Sequence, residues 1–131
     1  MRQMIADYME TGFLDNIIEM FRQDPSLFDH LEFLMCDMRA RVRLGTVALI
    51  EVLLPEFGTE IRKTIPTLVS LLGHDHPTVR GDTIYLIGVI GEREAVPLLE
   101  EHRNDPDPQV RQLLTETIEE LEAIERHEVR P

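Results

Sequence analysis

HDHPTVRGDTIYLIGVIG, residues 74–91, is echoed 31 positions further along by DPDPQVRQLLTETIEELE, residues 105–122, and this pairing decides the fold. In that register Pro77 falls on Pro108, Val79 on Val110, Arg80 on Arg111, Ile87 on Ile118 and Ile90 on Leu121. The same offset sets TIPTL, residues 64–68, on AVPLL, residues 95–99, so the match extends over a whole unit. A third copy lies 37 positions before the first stretch. DMRARVRLGTVALIEVL, residues 37–53, sets Val42, Arg43, Thr46, Leu49, Ile50 and Leu53 on Val79, Arg80, Thr83, Leu86, Ile87 and Ile90. Its six extra residues are assigned to the connection 55–63. Self-similarity at a short period marks a stacked architecture, in which each unit buries its apolar face against its neighbours.

Each unit reads as helix, short polar turn, helix. Val79, Thr83, Leu86, Ile87 and Ile90 follow the spacing of one buried helical face, and strand alternation is missing. Pro77 and Pro108 suit a first helical turn, whose N–H groups have no intrahelical partner, and Asp75, His76 and Asp107 suit the cap or the helix dipole there. Pro66 and Pro97 likewise open the first helices, and Gly91 is able to end a second helix in the left-handed conformation. Ahead of the repeats, Met4, Ile5, Tyr8 and Met9 form one stripe and Leu14, Ile17, Ile18 and Phe21 another. Phe28, Leu31, Leu34 and Met35 belong to the first helix of repeat one. The expected fold is all-α, an α-α superhelix of about three helix pairs forming one domain over residues 1–131. It divides into an N-terminal cap at 1–25 and repeats at 26–54, 60–91 and 93–125. Glu116, Glu119, Glu120, Glu122 and Glu125 give the last helix a polar outer face, as the end of a stack requires.

This pattern resembles the HEAT-repeat superfamily, and more specifically the short bacterial and archaeal HEAT-like repeats first described in phycobilisome lyases. The D-x-x-P-x-V-R turn, present as Asp105 to Arg111 and with His74 in the leading place as His74 to Arg80, carries the resemblance. Leu86 to Gly91 and the A-V-P-L-L-E run at 95–100 add to it. Repeat one departs from it, with Ala40 in the proline position. The resemblance speaks for a fold more than for an activity, because such repeats serve many unrelated tasks.

Composition narrows the functional classes. With 25 acidic against 13 basic residues and a formal charge of −12, the surface opposes phosphate backbones and anionic membranes, so neither nucleic acid nor membrane is an expected partner. Aromatic residues make up only 5%, without tryptophan, so the core must be aliphatic and a stacking platform has little material. Cys36 is the sole cysteine, which excludes an internal disulfide and a cysteine zinc cage. Asp7 and Glu10 interrupt the first thirteen residues where an export signal needs an apolar run, and no stretch approaches the ~18–20 apolar residues of a membrane span. A cytoplasmic location is expected.

Chemistry-bearing residues are sparse. Val-Arg recurs at 42–43, 79–80 and 110–111. The recurring arginine is either an anion ladder or structural glue, pairing with carbonyls and with the carboxylates of Asp37, Asp75, Asp105 and Asp107; periodicity favours glue. His74, Asp75 and His76, with His102 on the next unit, are the densest group of metal-ligand types. Repeat three fills the same turn with Asp105 and Asp107, which favours capping over a metal. His127-Glu128 is similar to the motifs by which HEAT-repeat deoxyhypusine hydroxylases hold a di-iron centre. Those enzymes need several such pairs on facing helices, whereas this chain has one. Cys36 ends an apolar stripe and reads as an inert thiol, and the methionines, concentrated before residue 39, read as core filling. No phosphate loop, nucleophile elbow or HExxH motif is present, so no catalytic residue, metal or cofactor is assigned.

The side of the second helices opposite the buried stripe carries Leu44, Ala48 and Glu51, then Gly81, Tyr85 and Gly88, then Gln112, Glu116 and Glu119. In HEAT-like stacks second helices line the concave side, so the resemblance makes this strip a groove. The expected function is a non-catalytic protein-protein interaction or scaffold module that binds a partner segment with basic and apolar residues. Leu44, Ala48, Asp82, Tyr85, Gln112, Glu116 and Glu119 are its expected contacts, with Asp82, Glu116 and Glu119 steering the encounter. The alternative is an accessory subunit of a lyase-like or other modifying enzyme. A homodimer through the apolar first third is also compatible with the pattern.

Overall fold

Proline at the head of a helix, followed by an aliphatic residue every third or fourth position, builds the same element repeatedly. The computed structural model describes residues 1–124, and the regular elements among them are all helical. The second helices are α4 (Ala40–Arg62), α6 (Pro77–Ile90) and α8 (Pro108–Glu122), and Pro77 and Pro108 stand in their first turns. The first helices are short. A 3-10 turn at Pro25–His30 leads into α3 (Leu31–Met35), α5 (Ile65–Ser70) leads into a 3-10 turn, and a third 3-10 turn leads into α7 (Val96–Glu100). Pro66 and Pro97 open α5 and α7, as their spacing predicts. Two further helices, α1 (Arg2–Glu10) and α2 (Leu14–Gln23), form the N-terminal cap.

The second helices stack in series, with α6 between α4 and α8, while α3, α5 and α7 pack on α4, α6 and α8 respectively. Both cap helices lie on α4. The fold is therefore an all-α superhelix of three helix pairs with a helical cap. Val42, Leu49, Ile50 and Leu53, their counterparts Val79, Leu86, Ile87 and Ile90, and Val110, Ile118 and Leu121 are all buried. Each such side chain contributes about 1.5–3 kcal/mol of transfer free energy. Gly91 ends α6 at φ 75°, a left-handed conformation that a Cβ would strain.

A single device joins turn to helix in every repeat. Asp37, His74 and Asp105 open the three turns. Their side chains accept the backbone N–H two residues on: Arg39 to Asp37 Oδ1 at 2.9 Å, His76 to His74 Nδ1 at 3.1 Å and Asp107 to Asp105 Oδ1 at 2.9 Å. Histidine replaces aspartate here because the imidazole lone pair also accepts. The carbonyls of the same three residues accept from the arginine six positions later, Arg43, Arg80 and Arg111, at 2.8, 2.8 and 2.7 Å. These two bonds explain the spacing of the D-x-x-P-x-V-R motif.

Two of the arginines also reach forward into the next repeat. Arg43 donates from Nε to Asp82 Oδ2 at 2.7 Å, and Arg80 grips both oxygens of Asp105 at 2.8 and 3.0 Å. Arg111, last in the series, is exposed. The glue reading holds for Arg43 and Arg80: Asp105, one of the four expected carboxylates, serves Arg80, whereas Arg43 takes Asp82, which the spacing does not suggest. The Asp37 carboxylate is taken by Arg39, Asp75 offers only its carbonyl, and Asp107 caps α8 by accepting from the Gln109 and Val110 N–H groups.

Burial pushes the Asp105 carboxyl up, but the bonds from Arg80 and from the Asp107 N–H outweigh it and hold the group below its ordinary value. Because the folded state holds this charge more tightly than the unfolded chain does, Asp105 stabilises the fold above the unfolded aspartate value of about 3.9. That contribution drains away as pH falls from there through the lower folded value. Urea titrations between pH 6 and pH 2, an interval chosen to bracket about 3.9, are expected to show a shallower acid loss in Asp105→Asn than in the native chain. Parallel curves would refute the coupling.

Three details differ from the sequence reading. The six extra residues do not form a loop: α4 continues through Pro55 to Arg62 with a kink at Phe57 (φ −125°, ψ 33°), close to the start of α5 at Ile65. Pro55 removes one ladder N–H, and Phe57 is held beside Phe28, which in turn meets Phe21 edge-on. In α1 the buried stripe is Ile5, Ala6 and Met9, while Tyr8 turns outward against Phe13 at 5.6 Å between ring centres. Of the methionines, Met9 and Met35 are core, whereas Met1 and Met38 are exposed.

Candidate functional site

Flank-to-flank stacking of α4, α6 and α8 leaves one long face of each helix without a first helix over it. Two hollows open along this face. One, of about 500 Å³, lies between α6 and α8 and is lined by Leu44, Pro77, Thr78, Gly81, Asp82, Tyr85, Asp107, Gln109, Val110 and Leu113. The other, of about 510 Å³, lies between the cap and α4 and is lined by Met9, Gly12, Leu14, Arg41, Leu44, Gly45 and Ala48. Leu44 borders both, so the hollows form one discontinuous channel. Leu44 is 55% and Tyr85 53% exposed, large values for apolar bodies that the helix could have turned inward.

The glycines decide how wide this channel is. A Cβ at Gly88 would stand 3.2 Å from Thr117 Cγ2, so the bare backbone there is already used for the close approach of α8. A Cβ at Gly81 would meet only Leu113 Cδ2, at 3.8 Å, an ordinary contact. Gly81 is therefore a floor position with room above it, while Gly88 is a packing position. At Gly45 the nearest atom is Met9 Sδ, at 3.4 Å.

Of the expected contacts, the structure gathers Leu44, Asp82 and Tyr85 around one hollow and Leu44 with Ala48 around the other. Asp82 is not a free steering charge, since one of its oxygens is bonded to Arg43. Gln112, Glu116 and Glu119 are exposed on α8 but line neither hollow. Glu119 also acts with Glu122 on the charge of Arg103, which belongs to the turn after α7. The third-repeat wall is instead Asp107, Gln109, Val110 and Leu113. A position opposite the core need not border a hollow on a stacked helix, because the hollow opens along the flank that meets the neighbouring helix. Leu113, an apolar residue off the buried stripe, was the available clue.

His74 Nδ1 is engaged with the His76 N–H, and among the described residues no three His, Cys, Asp or Glu side chains converge as a metal site. Burial, and then the nearby Glu32 charge, push the half-buried Cys36 thiol up, away from the reactive thiolate. His127 and Glu128 lie outside the described residues.

A family model described as HEAT repeats matches residues 29–119 of the chain. No curated protein and no solved structure gives a match.

Proposed function

The chain belongs to the HEAT-repeat family, and from that premise we propose that it is a non-catalytic interaction module whose concave face holds a segment of a partner protein. Curved repeat stacks present extended binding surfaces of this kind. The observation that carries the reading is the channel through Leu44, with two large apolar side chains left half-exposed on it and a glycine floor between Tyr85 and Leu113. The partner is a segment with basic and apolar residues, which the −12 charge favours. The D-x-x-P-x-V-R turn supports a place among the short HEAT-like repeats of the phycobilisome-lyase type. Among the described residues Tyr85 is the one aromatic residue lining the hollow between α6 and α8, so no observation favours the accessory-lyase alternative. No described helix is long and apolar enough to cross a membrane, and cytoplasmic residence is part of the proposal.

Peptides selected from a displayed random library on the native chain provide the probe. Tyr85→Ala is expected to weaken them by about 1–2 kcal/mol, the range of a buried aromatic anchor. Gly81→Leu should plug the hollow and abolish binding while leaving thermal stability equal or higher, since leucine exceeds glycine in helix propensity by roughly 0.5–1 kcal/mol. Unchanged affinity in both variants would move the site elsewhere, with the exposed Tyr8 and Phe13 pair next in line.

A further inference from the structure

The two hollows are alike in size and apolar character but opposite in charge. Among the described residues, Asp107 and the Arg43-paired Asp82 are the only charged residues lining the one between α6 and α8, and Arg41 is the only one lining the other. We infer, resting on the concave-face reading above, that the channel fixes the direction of its occupant. A partner segment lies with a lysine or arginine at Asp107, an aliphatic or aromatic anchor between Tyr85 and Leu113, and an acidic side chain beyond Leu44 at Arg41.

The charges are held in place. Asp107 spends Oδ1 on the Gln109 and Val110 N–H groups, which locks the carboxylate at the head of α8, while Oδ2 has no donor among the described residues. Arg43 pins Asp82 through its Nε donor on Oδ2. Arg41 is tethered at the other hollow by donating from Nη1 to the Glu10 carbonyl at 3.2 Å. Groups already fixed lose little freedom when a partner charge arrives, so they discriminate between orientations more than they add affinity. The occupant is a second protein and not another copy, because two chains each carrying −12 repel.

The test uses one selected peptide, its sequence-reversed form, and a form with its basic residue changed to glutamine, each read by fluorescence anisotropy at low salt. Asp107→Asn keeps the cap, since asparagine caps as well as aspartate. It is expected to weaken the selected peptide about two- to fivefold and to leave the glutamine form unaffected. Arg41→Gln should weaken only peptides with an acidic residue on the far side of the anchor, and the reversed peptide should bind the native chain at least about tenfold more weakly. Equal binding of forward and reversed peptides, or indifference to Asp107→Asn and Arg41→Gln, would overturn the directional inference. If Tyr85→Ala still weakened the peptide in that case, the concave site itself would stand; if it did not, both would fall. A concentration-dependent dimer in sedimentation, abolished by Tyr85→Ala, would also overturn it by making a second copy the occupant.

Discussion

Replacing Arg80 by alanine is expected to cost about 3–5 kcal/mol, a large part of the ~5–15 kcal/mol that holds a domain together. The Arg80 and Asp105 side chains are 9% and 5% exposed, so the pair is desolvated on both sides. The same guanidinium donates to the His74 and Asp75 carbonyls. Removing it orphans a buried carboxylate and two turn carbonyls together, and the loss follows from those stranded groups more than from the pair's own attraction. Urea unfolding monitored by circular dichroism measures the change. Arg80→Ala with Asp105→Ala should cost clearly less than the sum of the single variants, because the second substitution removes the charge that the first strands. A loss under about 1 kcal/mol for Arg80→Ala would contradict the description of this site as a closed, buried clamp.

The second large effect is expected at Leu86, which is fully buried on α6, the helix flanked by both α4 and α8. Leu86→Ala should destabilise by about 2–5 kcal/mol through lost transfer energy and the cavity that well-packed neighbours cannot close. The upper half of that range is the better expectation for a middle helix, since it has packed helices on both flanks and neither can collapse inward. A change below about 0.5 kcal/mol would mean that the repeat register places the wrong face in the core.

How far such effects could be read without coordinates depends on how local their causes are. Val42, Val79 and Val110 were legible as equivalent core positions because helical spacing and the repeat period act within each unit. The prolines and Gly91 were legible for the same reason. Asp82 was not, because its bond to Arg43 spans 39 residues and has no counterpart at that offset in the next repeat, where Asp105 serves Arg80 from the turn. The groove was half legible. Leu44 and Tyr85 follow from the helical wheel and line the hollow between α6 and α8, whereas Glu116 and Glu119 lie on α8 outside its lining, where Gln109, Val110 and Leu113 stand. The continuation of α4 past Pro55 was hidden because proline and glycine mark breaks in sequence, whereas Phe57 has a buried aromatic row to pack against.

The two forward arginine bonds each tie one repeat to the next, and this couples the fraying of neighbouring repeats. Repeat two can lose its predecessor and keep Arg80 compensated, because Asp105 belongs to the turn that follows it. If the α8 pair peels away, Asp105 leaves with it and Arg80 becomes a bare charge inside repeat two, which then has reason to open as well. The loss of Asp82 would next expose Arg43 in the same way. Each staple is broken whichever of its two repeats opens: departure of the α7–α8 pair strands Arg80, departure of α4 strands Asp82, and fraying of the cap alone touches neither bond. The middle repeat, which holds one end of both staples, is therefore the keystone, and an opening that reaches it from either side should spread through the stack.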